Sequence, residues 1–190
     1  IIGHVDAGKS TLTGRLLLDH EVISNVQYQK LKREAAKQNK ASFSLAWLLD
    51  STPEERERGV TIDSIASVFE TDRNIFNIVD SPGHRDFIPN MISGVSSTDV
   101  ALLVVDASTD AFESGFTLDG QTKEHTILVK SLGVERLIVV VNKMDNVDWS
   151  SDIFSEIKGQ LDEFFRKLGY NVADNVQYIP VSAFNGLIVS

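Results

Sequence analysis

"GHVDAGKS", residues 3 to 10, decides how the rest of the chain is read. It matches G-x-x-x-x-G-K-[ST], directly after the apolar stub "IIG" and directly before a helical pattern at residues 9–19. The chemistry behind this pattern is anion binding. Small residues let backbone N–H groups turn inward around phosphate oxygens, and the helix that follows aims its N-terminus at the charge. Lys9 adds a full positive charge, and Ser10 offers a hydroxyl to a phosphate-bound Mg²⁺. From average composition, a chance match in a chain of this length arises about once in a hundred or less. Strand, glycine-rich loop and helix in that order point to a nucleoside triphosphate. The loop alone does not choose the base.

Working outward, short β-branched runs alternate with helical patterns, as expected for an α/β domain with a mainly parallel sheet. Six strands are expected, at residues 1–3, 64–70, 74–80, 100–107, 136–143 and 176–182. The second and third are separated by "TDR" and read as a hairpin. The runs "ALLVVD" and "LIVVV" lack alternation, so helices should cover both faces of the sheet. Helices are expected at residues 9–19, 25–38, 85–97, 120–132 and 151–168, with Gly133 and Gly169 as stops. The stretch 39–63 has no clean period yet carries Phe43, Trp47 and Leu48. It reads equally well as a loop ordered by a ligand and as a small satellite core.

Composition narrows the classes. The 190 residues suit one domain, 42% of them hydrophobic and 24% charged. No apolar run approaches the roughly 20 residues that cross a bilayer, so no membrane role is expected. Without Cys there are no disulfides and no thiolate metal sites. A formal charge of -9 disfavours broad electrostatic binding to nucleic acid. "KLKREAAKQNK", residues 30–40, runs against that charge and reads as a solvated helix face.

A triphosphate site needs a second carboxylate at a neighbouring strand end to hold the metal's water shell. Asp80 and Asp106 both qualify. Asp80 is preferred because Gly83 follows, whose N–H can approach a γ-phosphate where a side chain would clash; Asp106 reads as a strand-end or cap residue. The base reads as guanine. "VVVNKMD" ends a buried strand with Asn142, Lys143 and Asp145. A carboxylate accepts both N1–H and the 2-amino group of guanine, whereas adenine presents an acceptor there. Lys143 can lay its stem along the base, and Asn142 can tie this loop to residues 3–10. In "VSAF", a backbone N–H of Ser182 or Ala183 can donate to guanine O6.

Together "GHVDAGKST", "ERERGVTID", "DSPGHRDFIPNMISG", "GQTKEH" and "VNKMD" resemble translational GTPases of the elongation-factor class, in that class's order and over essentially the whole chain. The long segment "KLKREAAKQNKASFSLAWLLD" resembles the eukaryotic branch. "DFIPNMI", "AFESGFTLDGQTKEH" and "NKMDNVDW" look most like fungal ribosome-rescue GTPases that work with the release-factor-like protein Pelota. The resemblance implies a Ras-like P-loop fold that binds GTP or GDP with Mg²⁺, acts in the cytoplasm, and engages the ribosome with its rRNA. It implies nucleotide contacts from Gly3, His4, Val5, Asp6, Ala7, Gly8, Lys9, Ser10 and Thr11. Gly83, Asn142, Lys143, Asp145, Ser182, Ala183 and Phe184 complete that set, and Ser10, Thr61 and Asp80 become the metal ligands. Lys9 and Thr61 would act in hydrolysis, and His84 would orient the attacking water behind an apolar gate of Val5 and Val60. On its own, a histidine after a turn is more often a surface loop residue. Asp6 either helps bind a monovalent cation or caps the loop. Arg56 and Arg58 suggest an arginine finger, but pairing with Glu54, Glu55 or Glu57 is the favoured reading.

Two departures stand out. Ser81 occupies a place where the class usually has Ala, and the chain stops at "LIVS" without a closing helix or the two β-barrel domains of the class. The sequence is therefore expected to be a GTP-binding domain, residues 1–190, truncated at both ends. Three rivals remain. One is delivery of aminoacyl-tRNA or a class-one release factor; another is the GTPase subunit of sulfate activation, which lacks the "QYQKLKREAAKQNK" insertion. The third is a scaffold that binds nucleotide without hydrolysing it.

Overall fold

The computed structural model describes residues 1–49, 52–58, 61–62, 64–95, 98–117 and 120–188. In chain order, β1 (Ile2–Gly3) leads through the glycine-rich loop into α1 (Lys9–Asp19), followed by α2 (Asn25–Lys37) and α3 (Pro53–Arg58). The hairpin β2 (Ile65–Glu70) and β3 (Ile75–Asp80) comes next, then α4 (Ile88–Val95), β4 (Val100–Asp106), α5 (Thr109–Phe116) and α6 (Gln121–Ser131). The chain continues with β5 (Arg136–Asn142), α7 (Ser151–Lys167), α8 (Val172–Asn175), β6 (Val176–Ser182) and β7 (Leu187–Ile188).

The sheet order is β1-β4-β5-β6-β7, parallel except for the last pair. Unbroken apolar runs make its centre because both faces are covered. On one side Leu103, Val105, Val139 and Val141 pack with Phe112, Val129, Leu161 and Phe165 of the α5, α6 and α7 helices. On the other, Val104, Val140 and Val181 pack with Leu12 and Leu16 of α1. The α/β class and the mostly parallel sheet agree with the sequence reading.

The expected single six-stranded sheet is more divided than that. β2 and β3 form their own antiparallel ladder, from Ile65 opposite Asp80 to Glu70 opposite Ile75. Backbone bonds join it to the main sheet: the Ile1 nitrogen donates to the Val79 carbonyl at 2.6 Å, and Ser81 N–H donates to the Ile1 carbonyl at 3.2 Å. Their pattern is one parallel step between Ile1 and Asp80.

The helix expected at 85–97 is a 3-10 turn at Arg85–Phe87 and then α4. Pro89 explains the break, because its ring would clash with the carbonyl of residue 85 in a continuous helix. It is tolerated in the first turn of α4. The other expected helices form, and Gly133 and Gly169 end two of them at φ 90° and 80°. α5 was not anticipated. It is short and contains Gly115, where a Cβ would lie 2.9 Å from Thr122 Oγ1 and 3.2 Å from His4 Cβ. The glycine is here the condition for close packing.

Within the stretch 39–63, residues 39–49 form the satellite core. Leu45, Trp47 and Leu49 are buried, and a Cβ on Gly14 of α1 would stand 2.3 Å from the Leu45 carbonyl oxygen. The satellite core is therefore seated on α1. Ser42, Phe43 and Ala46 of the same stretch line the cavity described next.

Candidate nucleotide-binding site

A cavity of about 410 Å³ opens over the carboxyl ends of the parallel strands, where open α/β sheets bind ligands. The 3–10 loop and start of α1 contribute Val5, Asp6, Gly8, Lys9, Ser10 and Thr11 to its wall. The loop turns as it does because Asp6 and Gly8 take left-handed φ values of 61° and 93°. At Gly8 a Cβ would collide with Asn142 Nδ2 at 2.3 Å. Lys9 donates to the His4 carbonyl at 2.9 Å and is buried, and burial lowers its pKa to about 8 against the opposing pull of Asp80. A phosphate placed there would relieve that cost. Gly83 closes over the same ammonium, since a Cβ would lie 2.3 Å from Lys9 Nζ.

Three of the expected metal-holding groups converge. Ser10 Oγ and Thr61 Oγ1 are 2.9 Å apart. Asp80 is fully buried at the end of β3, and among the described residues neither carboxylate oxygen has a hydrogen-bond partner. Burial raises its pKa, opposed by the nearby Ser10 and Thr13 hydroxyls and by Lys9. Two adjacent hydroxyls and an unsatisfied buried carboxylate are a donor set that fits a hard divalent cation.

At the far end of the cavity, Asn142, Lys143 and Asp145 follow β5, and Ser182 and Phe184 follow β6. Asn142 donates through Nδ2 to the Ala7 carbonyl at 2.8 Å and accepts from Ala183 N–H at 3.0 Å. It ties the loop to the sheet as expected. It also occupies the Ala183 N–H that had been offered to guanine O6, so that donor would be shared. Lys143, at φ 60°, places Nζ 2.6 Å from Asp106 Oδ2. Asp106 Oδ1 meanwhile accepts from Ser108 N–H at 2.9 Å, the cap role read for it. Asp145 Oδ2 accepts from Asn185 Nδ2 at 3.1 Å and remains on the cavity wall.

Some expected residues stand behind or outside the wall. Gly3, His4, Ala7, Asp80 and Ala183 do not line the cavity. His84 does not either: its Nδ1 accepts from Asp86 N–H at 3.3 Å, and its ring meets Phe87 at 5.9 Å. Val5 is on the wall, while Val60 lies outside the described residues, as do the side chains of Arg56 and Arg58. Asp6 is exposed and makes no hydrogen bond among the described residues.

Sequence reasoning missed the supports beneath the loop. Gln121 Oε1 accepts from Val5 N–H at 3.0 Å, and His125 Nδ1 accepts from Gly3 N–H at 3.3 Å. Both lie four apart on α6, inside "GQTKEH", and both are buried. Two polar side chains on the buried face of a helix were the available signal. Burial, with Lys9 nearby, lowers the His125 pKa to about 3; the same causes lower the pKa of His4.

Residues 1–190 match the family described as the elongation factor Tu GTP binding domain. Over 186 residues, 98% of this chain, it is 53% identical to Protein HBS1 of Drosophila melanogaster and 50% identical to the elongation factor 1 alpha-like protein of Schizosaccharomyces pombe. Over the same share it is 48% identical to elongation factor 1-alpha of Plasmodium falciparum. It spans 28%, 31% and 42% of those relatives' lengths, respectively. Among solved structures, it resembles the Saccharomyces cerevisiae Ski7 GTPase-like domain bound to GDP and inorganic phosphate, with a TM-score of 0.84 and 26% identity, covering 97% of this chain and 42% of that one. Sup35 complexed with GDP matches with a TM-score of 0.68 and 33% identity, covering 98% of this chain and 36% of Sup35. The glycine-rich loop, the residues that line the cavity after β5 and these likenesses agree: the chain belongs to the elongation factor Tu GTP-binding-domain family of translational GTPases, and resembles Protein HBS1 within it.

Proposed function

We propose that this domain is the switch of a translation factor that delivers a Pelota-like release-factor homologue to stalled ribosomes in the cytoplasm. The observation that carries the switch is the Ser10–Thr61 hydroxyl pair beside the unpartnered Asp80 carboxylate. In this reading Ser10, Thr61 and Asp80 would hold Mg²⁺, which neutralises phosphate charge when bound. Lys9 and the backbone of residues 3–11 hold the phosphates, Gly83 N–H meets the γ-phosphate, and Asp145 reads the base. Asn142, Lys143 and the 182–184 turn complete the pocket. His84 orients the attacking water only after the ribosome releases it from its own turn. The intrinsic rate is low because the site offers positioning groups and no general base. Residues 1–190 act as the GTP-binding domain of a longer chain, whose remaining domains carry the partner.

Support for ribosome rescue comes from the 53% identity to Protein HBS1 and the likeness to Ski7. A second reading, delivery of aminoacyl-tRNA or a termination factor, draws on the 48% identity to elongation factor 1-alpha and the likeness to Sup35. Single-turnover GTP hydrolysis by the full-length protein on stalled ribosomes separates them. Rescue predicts stimulation when a Pelota-like protein is added. Stimulation by aminoacyl-tRNA or a class-one release factor instead would replace it with the second reading.

A further inference from the structure

Ile62, the residue after Thr61, is held on both of its peptide groups. Its N–H donates to Glu55 Oε1 at 3.1 Å, and its C=O accepts from Asn90 Nδ2 at 2.9 Å. The first of these groups is the peptide bond to Thr61 itself. Glu55 is 3% exposed, and its other oxygen accepts from Thr52 N–H at 3.2 Å and from Thr52 Oγ1 at 3.0 Å. Thr52 Oγ1 accepts in return from Glu55 N–H at 3.2 Å, a reciprocal capping box that opens α3. A capping glutamate needs only one oxygen for that work. The second reaches out of the helix to the residue beside Thr61. Asn90, on α4, adds a further tie, since its carbonyl accepts from Ser64 Oγ at 2.9 Å.

We propose that Glu55 and Asn90 are positioning residues of one clamp, which seats Thr61 against Ser10 and couples residues 61–64 to α4. The inference rests on the reading of Thr61 as a group that senses the triphosphate. A lone neutral hydrogen bond between two hydroxyls is worth a factor of about five in equilibrium terms. That is too little to fix a chain segment against the entropy of ordering it. The bonds to Ile62 supply the missing restraint from α3 on one side and α4 on the other. α4 begins a few residues beyond Gly83, so a phosphate met at Gly83 and a metal met at Thr61 would favour one joint arrangement. The clamp is the link through which each would bias the other.

The test uses the purified full-length protein and compares GDP with a non-hydrolysable GTP analogue, in Mg²⁺ and in EDTA. Asn90→Ala should weaken the analogue about fivefold in Mg²⁺, with GDP affinity and the melting temperature of the GDP form unchanged. Glu55→Ala should do at least as much, and Glu55→Gln, which keeps one acceptor oxygen, should fall between it and wild type. In a Thr61→Ala background the Asn90→Ala effect should vanish, because the clamp acts through Thr61. Equal weakening of GDP and the analogue, or full additivity with Thr61→Ala, would reduce both residues to local structure and overturn the clamp. If Thr61→Ala alone leaves Mg²⁺-dependent analogue affinity intact, the reading of Thr61 fails, and that is seen without any clamp variant.

Discussion

The two halves of the site are held together by different means. The half proposed to hold base and phosphates comes from the ends of β1, β5 and β6, and its ties are buried and anchored in the main chain. Asn142 bridges the Ala7 carbonyl and the Ala183 N–H, and Gly3 and Val5 donate down to His125 and Gln121. The half proposed to meet the γ-phosphate comes from residues 52–58, 61–62, 64 and 83–95, outside the parallel sheet. It is held by side chains: Glu55, Asn90 and the Ser10–Thr61 pair. Strand ends in a packed sheet move little, whereas a few side-chain bonds can be exchanged for bonds to water at small net cost. Affinity and base choice should therefore reside in the first half, and timing in the second.

The hardest test of that division is His84→Ala. His84 is half-exposed, bonded within its own turn and off the cavity wall. Its loss should cut ribosome-stimulated hydrolysis by about 10²–10³, because an interaction made chiefly in the transition state changes the rate and leaves ground-state binding alone. Single-turnover rates and dissociation constants, measured side by side, decide the matter. A fall in GTP affinity matching the fall in rate would move His84 into the binding half.

Asp145→Asn probes the other half. Xanthine carries an acceptor where guanine carries the 2-amino donor, so an amide should suit it and a carboxylate should not. Two charge-assisted bonds at roughly 1.5–3 kcal/mol each imply a change of preference on the order of a hundredfold or more. Competition between guanosine and xanthosine triphosphates reads it directly. Unchanged GTP affinity would show that Asp145, on the wall and bonded to Asn185, does not touch the base.

The same division explains what was legible in the sequence. The base-and-phosphate half could be read because each part is a local pattern at a strand end: the loop before α1, "NKMD" after β5 and "SAF" after β6. Its foundations could not, because Gln121 and His125 meet the loop across 116 and 122 residues of chain, a distance that no spacing rule covers. The Asp106–Lys143 pair was hidden for a similar reason. Both strand ends were recognised, but only the register that sets Asp106 opposite Asn142 brings them together. In the timing half, Thr52 and Glu55 form a capping-box spacing visible in the sequence, yet nothing local says that the second oxygen reaches Ile62.

His125 extends the test to the foundation of the loop. In the folded protein its Nδ1 accepts from Gly3 N–H, so the ring is neutral, and burial holds its pKa down to about 3 from an ordinary 6.5. Below 6.5 the unfolded chain takes a proton that the folded chain refuses. Stability from this source is complete above 6.5 and falls as pH drops toward 3, by a factor of about ten in the folding equilibrium per pH unit. His4, also lowered by burial, adds loss in the same direction. Urea midpoints followed from about pH 7 to about pH 4 should drop steeply in the wild type and less so in His125→Gln, which retains an acceptor for Gly3. Parallel slopes would remove His125 from the foundation.

The smallest expected effect concerns Lys143, whose left-handed backbone would be costly without something to hold it. Asp106 supplies that hold. Its carboxylate is nearly buried, with Oδ1 taken by Ser108 N–H and Oδ2 set 2.6 Å from Lys143 Nζ. With the amine fixed on β4, the methylene stem stays on the cavity wall, the proposed shelf for the base. Asp106→Asn keeps an acceptor for Ser108 but loses the charge, so the shelf should loosen without unfolding the turn. Because base and ribose are the same in both nucleotides, GDP and GTP affinities should fall together, by about fivefold for the loss of one such bond. Asp145→Asn in the same protein should still exchange guanosine for xanthosine preference, since the shelf does not read the base edge. A loss confined to GTP would place Asp106 among the groups that sense the γ-phosphate, and the boundary between the two halves would have to be redrawn through β4.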